Sequence, residues 1–353
     1  MYTEEFLIFA NVTHRNKSYS MNICKVGIIG AGSIAQKMAD TLNRMENAIV
    51  YGIASRQLEK ARSFADKFNV PHAYGSYEEL VADSEVDLVY IATPHSLHYE
   101  HARLCIEHGK PVLCEKAFTA NARQAKSLLK LAKEKKVFIT EAIWTRFMPF
   151  SKTIRQLLDD GIIGTPSMLT AGLSYAVAHK ERLFKPELAG GALLDLGVYP
   201  INFALMAFGN DVENITSACV KNEYGVDAQN SITFRFKDGK MAVMQSSMLC
   251  AGDRHGVISG DKGYIIVDNI NNPQQATVYS KGHEIIKQFH CPPQISGYEY
   301  EVEASIKALQ EGALETRDMP HEETLRIMQI LDELRSEWGV QYPMDIEPGN
   351  NAC

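Results

Sequence analysis

The side chains of Lys116, Asp195 and Tyr199 suggest acid–base chemistry. Asp195 and Tyr199 lie four residues apart, so a helix there would project both from one face. Lys116 follows Glu115 at the end of an apolar strand-like run. A tyrosine with a pKa near 10 is a poor base, and a nearby ammonium group lowers that pKa because it stabilises the phenolate. We predict that Lys116 and Tyr199 form a general acid/base pair for a carbinol. The alternatives are that Glu115 and Lys116 form an ordinary surface ion pair and that Tyr199 is an ordinary residue of an amphipathic helix.

The elements that must position these groups begin with a glycine turn. Residues 26–29 form a short apolar run typical of a buried strand, and the segment after it fits the pattern G-x-G-x-x-A before a helical pattern. Strand, glycine turn and helix in this order indicate a dinucleotide site, with the pyrophosphate on the free N–H groups at the helix start. The residues predicted to form it are Gly30, Gly32, Ser33, Ile34 and Ala35. Gly30 permits the tight turn, Gly32 leaves room for the pyrophosphate, and Ala35 allows close packing of helix on strand.

The end of the second predicted strand indicates which nucleotide binds. An acidic residue about 20 positions after the turn accepts hydrogen bonds from the ribose of NAD. This chain has Ser55 and Arg56 there instead. A guanidinium suits a 2′-phosphate, so we predict NADP, with NAD possible. A solvated Arg56 with no ligand is the alternative.

Residues near the predicted domain junction are candidates for the substrate pocket. Trp144 and Phe147 could line a cleft, with Arg146 binding an oxygen, although interface packing is the more common role of such a cluster. Gly190 and Gly191 would let a cofactor ring approach the backbone.

The pattern of elements changes near residue 145. Before it, strands alternate with helices every 20 to 30 residues, which predicts a Rossmann domain with a doubly wound parallel sheet. After it, strand-like runs with short turns predict an α+β domain with a large, open, mainly antiparallel sheet. We predict a loosely ordered extension over 1–20, an NADP-binding domain over 21–145, and a substrate-binding and dimerisation domain over 146–353. Met21 is a candidate for the functional start.

Composition excludes several classes of protein. The 353 residues are 45% hydrophobic, with a formal net charge of −7, and basic clusters are absent. Nucleic-acid and anionic-membrane partners are therefore not expected. No apolar run approaches the roughly 20 residues of a membrane span, and no signal peptide is evident. Seven scattered cysteines without a C-x-x-C pair favour a reducing, cytoplasmic setting.

Two rival functions follow from other features. His95, His98 and His101 recur every third residue, but no cysteine or carboxylate completes a zinc set, so no metal is predicted. His98 is instead expected to border the nicotinamide pocket. A non-catalytic NADP-sensing regulator on the same fold is the second rival. A protein that only senses NADP does not need Lys116, Asp195 and Tyr199, and all three are present in this chain.

The combined motifs resemble the Gfo/Idh/MocA family, named after glucose–fructose oxidoreductase and inositol dehydrogenase, over about residues 21–345. The matching pieces are the glycine turn, Tyr90-Ile91-Ala92-Thr93-Pro94 with His98, Glu115-Lys116, residues 190–199 and Gly260-Asp261-Lys262-Gly263. Residues 141–147 and the tyrosine at 199 resemble the branch of dimeric dihydrodiol dehydrogenases and NADP-dependent D-xylose dehydrogenases.

The resemblance implies roles for these residues. Lys116 and Tyr199 would be catalytic and Asp195 would orient the substrate, while Thr93, Pro94, His98 and Glu115 would border the cofactor. It also implies a homodimer or homotetramer through the open sheet. The reaction would move a hydride from a sugar or vicinal diol to NADP while Tyr199 removes the hydroxyl proton.

One position departs from the family pattern. Ala117 stands where relatives usually have proline. A cis bond before a residue other than proline costs about 3 kcal/mol, so a trans Lys116–Ala117 peptide is expected.

Overall fold

The structure, a computed structural model, describes residues 23–346. The predicted extension over 1–20 and the candidate start at Met21 lie outside the described residues.

The N-terminal part alternates strands with helices. The strands are β1 (Cys24–Ile29), β2 (Ala48–Ala54), β3 (His72–Tyr74), β4 (Leu88–Ile91), β5 (Val112–Glu115) and β6 (Ile139–Ala142). The helices are α1 (Ser33–Leu42), α2 (Leu58–Phe68), α3 (Tyr77–Ala82), α4 (His95–Glu107) and α5 (Ala122–Lys135).

These six strands form one parallel sheet in the order β3-β2-β1-β4-β5-β6. Strands β4 and β5 are buried at every position, as expected when helices cover both faces of a sheet. The order reverses between β1 and β4, where open α/β sheets bind ligands at the carboxyl ends of their strands. The predicted doubly wound sheet is confirmed, and β3 is a short strand that the sequence did not reveal.

The second part begins with a short 3₁₀ turn over Trp144–Arg146. Its helices are α6 (Pro149–Asp159), α7 (Glu181–Phe184), α8 (Val198–Phe208), α9 (Glu299–Gln310) and α10 (His321–Trp338). Its strands are β7 (Pro166–Ser174), β8 (Val212–Lys221), β9 (Asp227–Phe236), β10 (Met241–Ser247), β11 (Gly256–Gly260), β12 (Gly263–Val267), β13 (Gln275–Ser280) and β14 (Ile285–His290). A π-helical turn, Leu193–Gly197, leads directly into α8.

The eight strands form a second sheet in the order β14-β13-β12-β11-β7-β10-β9-β8. All neighbours are antiparallel except β7 and β10, so the predicted mainly antiparallel sheet is confirmed. Strands β11 and β14 were not predicted. Strand β14 is almost entirely exposed, so it lacks the alternation of a half-buried strand.

The last two helices return to the first domain. Helix α9 buries Val302 and Ile306 in the same apolar cluster as Val26 and Ile28 of β1, and α10 packs against α5. The expectation that no apolar run approaches the length of a membrane span is wrong, since among the described residues one helical stretch, Pro186–Phe208, is long and apolar enough to cross a membrane. Because 89% of its apolar window is buried inside the protein, it is a core helix.

Candidate functional site

A cleft of about 450 Å³ lies between the two sheets, at the carboxyl ends of the parallel strands. It brings together ten of the residues predicted from the sequence. These are Gly32, Ser33, Ile34, Thr93, Pro94, Glu115, Lys116, Trp144, Asp195 and Tyr199.

The glycine turn combines a packed position with an open one. Gly30 has φ +99°, and a Cβ there would lie 2.9 Å from the Ala92 carbonyl oxygen. Ala35 is fully buried against the strand. A Cβ on Gly32, in contrast, would have the Ala92 oxygen at 4.0 Å as its nearest neighbour. Helix α1 starts at Ser33 without a side-chain cap. Open space above the first N–H groups of the helix fits the pyrophosphate of a dinucleotide.

Ser55 and Arg56 continue the same edge of the sheet beyond the cleft. Ser55 is buried at the end of β2, and its backbone N–H donates to the Tyr74 carbonyl. Arg56 is exposed and lies beside Tyr77. Burial raises the pKa of Tyr77, and the Arg56 charge opposes that rise. A guanidinium at this edge is available to a 2′-phosphate.

Asp195 lies at the centre of a cluster of cations. The Lys116 ammonium donates to the Asp195 backbone oxygen at 2.7 Å and to Oδ1 at 3.1 Å. The Arg182 guanidinium donates to Oδ1 at 2.8 Å and to Oδ2 at 3.4 Å. Burial opposes the ionisation of Asp195, but Lys116 and Arg182 hold the pKa of its carboxyl group well below the ordinary value. The carboxylate is therefore ionised at neutral pH.

Tyr199 meets Lys116 through its ring. The Lys116 Nζ atom lies 5.1 Å from the ring centroid, over the face. Burial raises the pKa of Tyr199 well above its usual range, and the nearby Tyr298, Glu115 and Asp195 add to this. The predicted lowering of this pKa by Lys116 is therefore wrong for the protein without ligands. The physical reason is that burial disfavours the charged phenolate and that the neighbouring Glu115 and Asp195 carboxyl groups disfavour it further.

The three histidines of α4 each have a protein partner. His95 lines the cleft, its Nδ1 atom 3.1 Å from the Ala189 oxygen and its Nε2 atom 4.0 Å from Asp195 Oδ1. His98 is fully buried, with its ring nitrogens 2.9 Å from the Ala117 oxygen and 2.8 Å from the Thr93 oxygen. His98 was expected to border the nicotinamide pocket, but it does not line the cleft, because its hydrogen bonds to those two carbonyl groups hold the ring inside the protein.

The His101 ring meets the Thr93 hydroxyl at 3.0 Å. Among the residues that the structure describes, no group of three or more His, Cys, Asp or Glu is placed to hold a metal.

The Lys116–Ala117 peptide bond is cis, so the expectation of a trans bond is wrong. The backbone around it is fixed by buried side chains. His98 binds the Ala117 oxygen, and Glu141 accepts the Phe118 N–H at 3.1 Å. Glu115, which precedes this bond, is buried and accepts a hydrogen bond from the Tyr90 hydroxyl. Burial raises the pKa of Glu115.

The Gly190-Gly191 pair serves packing and does not line the cleft. A Cβ on Gly190 would lie 2.6 Å from the Leu183 oxygen, and one on Gly191 would lie 2.3 Å from Asp227 Oδ1. The expected approach of a cofactor ring to these glycines is therefore wrong, because protein atoms fill that space. The predicted helix over residues 195–199 includes the π-helical turn before α8. Pro200 has no N–H with which to continue an ordinary α-helical ladder.

An aromatic wall closes the substrate end of the cleft. Trp144 stacks on Tyr298 with ring centroids 4.2 Å apart, and its indole N–H donates to Asn271 Oδ1 at 3.0 Å. Arg146 and Phe147 do not line the cleft. Arg146 is paired with Glu323 at 2.6 Å and with Asn202, and Phe147 is buried in the core. The alternative of interface packing describes these two residues.

Several residues of the cleft were missed by the sequence reasoning. They are Arg182, His95 as a cleft residue, Tyr175, Asn271 and Tyr298. Arg182 comes from the short helix α7 and Tyr298 from the loop before α9, outside any motif. His95 carried a signal, since it directly follows Thr93-Pro94 at the end of β4.

Family models match both parts of the chain. Residues 24–142 match the model described as "Oxidoreductase family, NAD-binding Rossmann fold". Residues 151–266 match the "GFO/IDH/MocA C-terminal domain".

Relatives and solved structures cover nearly the whole chain. The trans-1,2-dihydrobenzene-1,2-diol dehydrogenase of Xenopus tropicalis is 34% identical over 90% of this chain and 99% of its own length. The human enzyme of that name is 33% identical over 90% and 98%. The 3-ketoreductase KijD10 of Actinomadura kijaniata, crystallised with NADP and TDP-benzene, has a TM-score of 0.82 at 26% identity over 89% and 98%. An aldose-aldose oxidoreductase of Caulobacter crescentus, with a TM-score of 0.81 at 18% identity over 90% and 97%, shares the fold.

The family resemblance seen in the motifs is thus confirmed over both domains. The chain belongs to the GFO/IDH/MocA family of oxidoreductases with an NAD-binding Rossmann fold.

Proposed function

We propose that this protein is an NADP-dependent oxidoreductase that interconverts a carbinol and a carbonyl on a sugar or vicinal diol. The observation that carries the proposal is the Lys116–Asp195–Arg182 cluster beside Tyr199, next to an open dinucleotide cradle. Relatives named dihydrodiol dehydrogenase and a ketoreductase crystallised with NADP support it.

The cofactor would be held along the carboxyl edge of the parallel sheet. The N–H groups at Ser33 and Ile34 would bind the pyrophosphate, and Ser55 with Arg56 would bind the 2′-phosphate. Thr93, Pro94 and Glu115 would border the nicotinamide end. NADP, when bound, supplies or accepts the hydride.

Proton transfer falls to Tyr199. Its raised pKa keeps the phenol protonated at neutral pH, so it can donate to the oxygen of a carbonyl as that oxygen becomes negative. The Lys116 ammonium adds positive charge at the same place. In the opposite direction Tyr199 must accept a proton, so the oxidation rate is expected to rise with pH.

Substrate orientation falls to the Asp195–Arg182 pair. The ionised carboxylate can accept a hydrogen bond from a hydroxyl group next to the reacting carbon. Arg182 uses two N–H groups on Asp195, and its remaining donors, which have no other hydrogen bond within residues 23–346, can contact substrate oxygens. Trp144 and Tyr298 supply an apolar face for a ring.

The test is turnover of aldoses, inositols and aromatic trans-dihydrodiols with NADP and NAD, for the native protein and for Tyr199→Phe. We expect NADP-dependent turnover of at least one class, and a fall in kcat of roughly 10²- to 10⁴-fold in the variant. Undiminished kcat in Tyr199→Phe would refute the proton-transfer role. NADPH binding without turnover of any compound would favour the sensing regulator.

We also propose that the open face of the eight-stranded sheet pairs with a second copy. Large apolar side chains are exposed on neighbouring strands, with Met168 of β7 41% exposed, Met241 of β10 37% and Val243 of β10 38%. Val220 of β8 is 53% exposed. Light scattering should give a dimer or tetramer, and Val243→Glu should shift it to monomer. A native monomer would refute the proposal.

A cytoplasmic location is proposed from the free thiols. The described cysteines form no disulfide, and Cys24, Cys105 and Cys114 are buried. We also propose that the NADP-binding domain spans residues 21–145 and that the second domain begins at residue 146.

A further inference from the structure

A polar network lies behind the turn that carries Asp195, outside the cleft. Asp227, the first residue of β9, is fully buried. Its Oδ2 atom accepts the Leu193 N–H at 2.7 Å and the Asn230 amide at 2.9 Å. The Asn230 oxygen in turn accepts the Ser246 hydroxyl at 3.0 Å. The network therefore joins two strands of the second sheet to the start of the π-helical turn.

The bond to Leu193 meets a specific need of that turn. The first N–H groups of a helix have no partner within the helix, and a side chain at the preceding position usually accepts one of them. Here that position is Ala192, which has no acceptor in its side chain. The carboxyl group of Asp227 supplies the acceptor from a distant strand. Leu193 is two residues from Asp195 and six from Tyr199.

The Asp227 carboxyl group also packs directly against the backbone of Gly191. This glycine has φ +120°, and a Cβ on it would lie 2.3 Å from Asp227 Oδ1. The Gly191 N–H donates to the Leu183 oxygen at 2.8 Å, which ties the segment of Arg182 to the start of the turn. The Tyr342 hydroxyl binds the Gly190 oxygen at 2.6 Å from the other side.

We propose that Asp227 is a positioning residue for the reaction. By accepting the Leu193 N–H it fixes the start of the π-helical turn, and thereby holds Asp195 and Tyr199 in place against Lys116. This inference rests on the proposed function. It assigns Asp227 no contact with substrate or cofactor.

The test compares Asp227→Val with Asp227→Asn. Valine removes the acceptor, whereas the asparagine oxygen can accept both hydrogen bonds. We expect kcat to fall about 10- to 100-fold in Asp227→Val, since small displacements of catalytic groups cost that much. Asp227→Asn should stay within about threefold of native kcat. The Kd for NADPH, measured by fluorescence, should change less than about twofold in both variants, because the cradle lies in the other domain.

The control for general destabilisation is Ile265→Ala, a fully buried position of β12 in the same sheet. It should lower the melting temperature and leave kcat unchanged. Native kcat in Asp227→Val would overturn the inference. So would an equal loss of kcat in Asp227→Asn or in Ile265→Ala.

If Asp227→Val does not fold, a variant that perturbs the network less can test the same inference. Asn230→Ala removes one of the two donors to the carboxyl group, and kcat should fall about threefold or more at unchanged Kd. Unchanged kcat in a folded Asn230→Ala would overturn the inference. Native protein without turnover would refute the proposed function instead, since every comparison here is a ratio to native activity.

Discussion

Asp227→Asn should make the protein more stable at neutral pH and leave its stability unchanged in acid. The native carboxyl group is fully buried, and one of its oxygens, Oδ1, has no hydrogen-bond partner within residues 23–346. Burial raises the pKa of Asp227 from 3.8 to about 7, against the opposing effects of Asn230, the Leu193 N–H and Arg335. The asparagine cannot ionise and keeps the accepted bonds.

The sign and size follow from linkage. The folded protein keeps this proton up to about pH 7, whereas the unfolded chain loses it near pH 3.8. Stability therefore falls as pH rises from about 4 to about 7, because the unfolded state binds fewer protons there. At 1.36 kcal/mol for each pKa unit, the raised pKa corresponds to about 4 kcal/mol in the free energy of unfolding.

The assay is urea unfolding of both proteins at pH 5, 6, 7 and 8 and constant ionic strength. The advantage of Asp227→Asn should be about 1.6 kcal/mol at pH 5, because the unfolded side chain is already ionised there, and should approach about 4 kcal/mol at pH 8. The variant isolates this group from Glu141, whose buried carboxyl group also has a pKa of about 7 and gives the same trend. Arg335, Tyr342 and Cys219 are the other ionisable groups that interact with Asp227. A difference in stability that does not vary with pH would refute the reasoning.

Three further predictions concern the cleft and the residues around it. Gly32→Ala should weaken NADPH binding by about tenfold, because its Cβ would occupy the open space predicted for the pyrophosphate, and should leave the melting temperature unchanged. Gly191→Ala should lower the melting temperature, because its Cβ would collide with Asp227. Equal thermal effects of the two would contradict this. Arg56→Asp should raise KM for NADP by about tenfold or more and leave KM for NAD nearly unchanged, since it removes a donor to the 2′-phosphate and adds repulsion; an unaltered KM for NADP would exclude that contact. Burial, with the Lys116 charge adding to it, lowers the pKa of His95 to about 3, so its ring resonances in NMR should not titrate between pH 5 and 8. A midpoint near pH 6.5 would show that His95 is solvated.

Most of the first domain was predicted correctly, because its strands and its glycine turn are marked by residues that are neighbours in the sequence. The apolar runs of β1, β2, β4 and β5 and the glycine turn need only neighbouring residues to be recognised. Parallel strands buried on both faces leave continuous apolar segments. Strand β14 was missed because almost all of its residues are exposed and show no alternation, and β11 was missed although it pairs with its chain neighbour β12 as well as with the distant β7.

The candidate site divides in the same way. Lys116, Asp195 and Tyr199 were found from residue type and position after recognisable elements. Arg182 was not found, because nothing in its own segment indicates that its guanidinium meets a carboxylate thirteen residues further on. The pKa of Tyr199 was predicted to be lowered, whereas in the folded protein it is raised. Its pKa depends on burial and on the nearby Tyr298, Glu115 and Asp195, and these surroundings exist only in the folded protein.

The sequence by itself determined the glycine turn of a dinucleotide-binding fold and the change from a parallel to a mainly antiparallel sheet, and it indicated candidate reacting groups, since chain neighbours dictate strand, turn and helix. Only the tertiary structure decided where the buried groups point. It turned Gly190 and Gly191 toward protein atoms, placed His98 inside the protein, and paired Arg146 with Glu323 instead of with a substrate. The physical reason is that a buried polar group must find partners, and those partners come from segments that sequence spacing does not bring together.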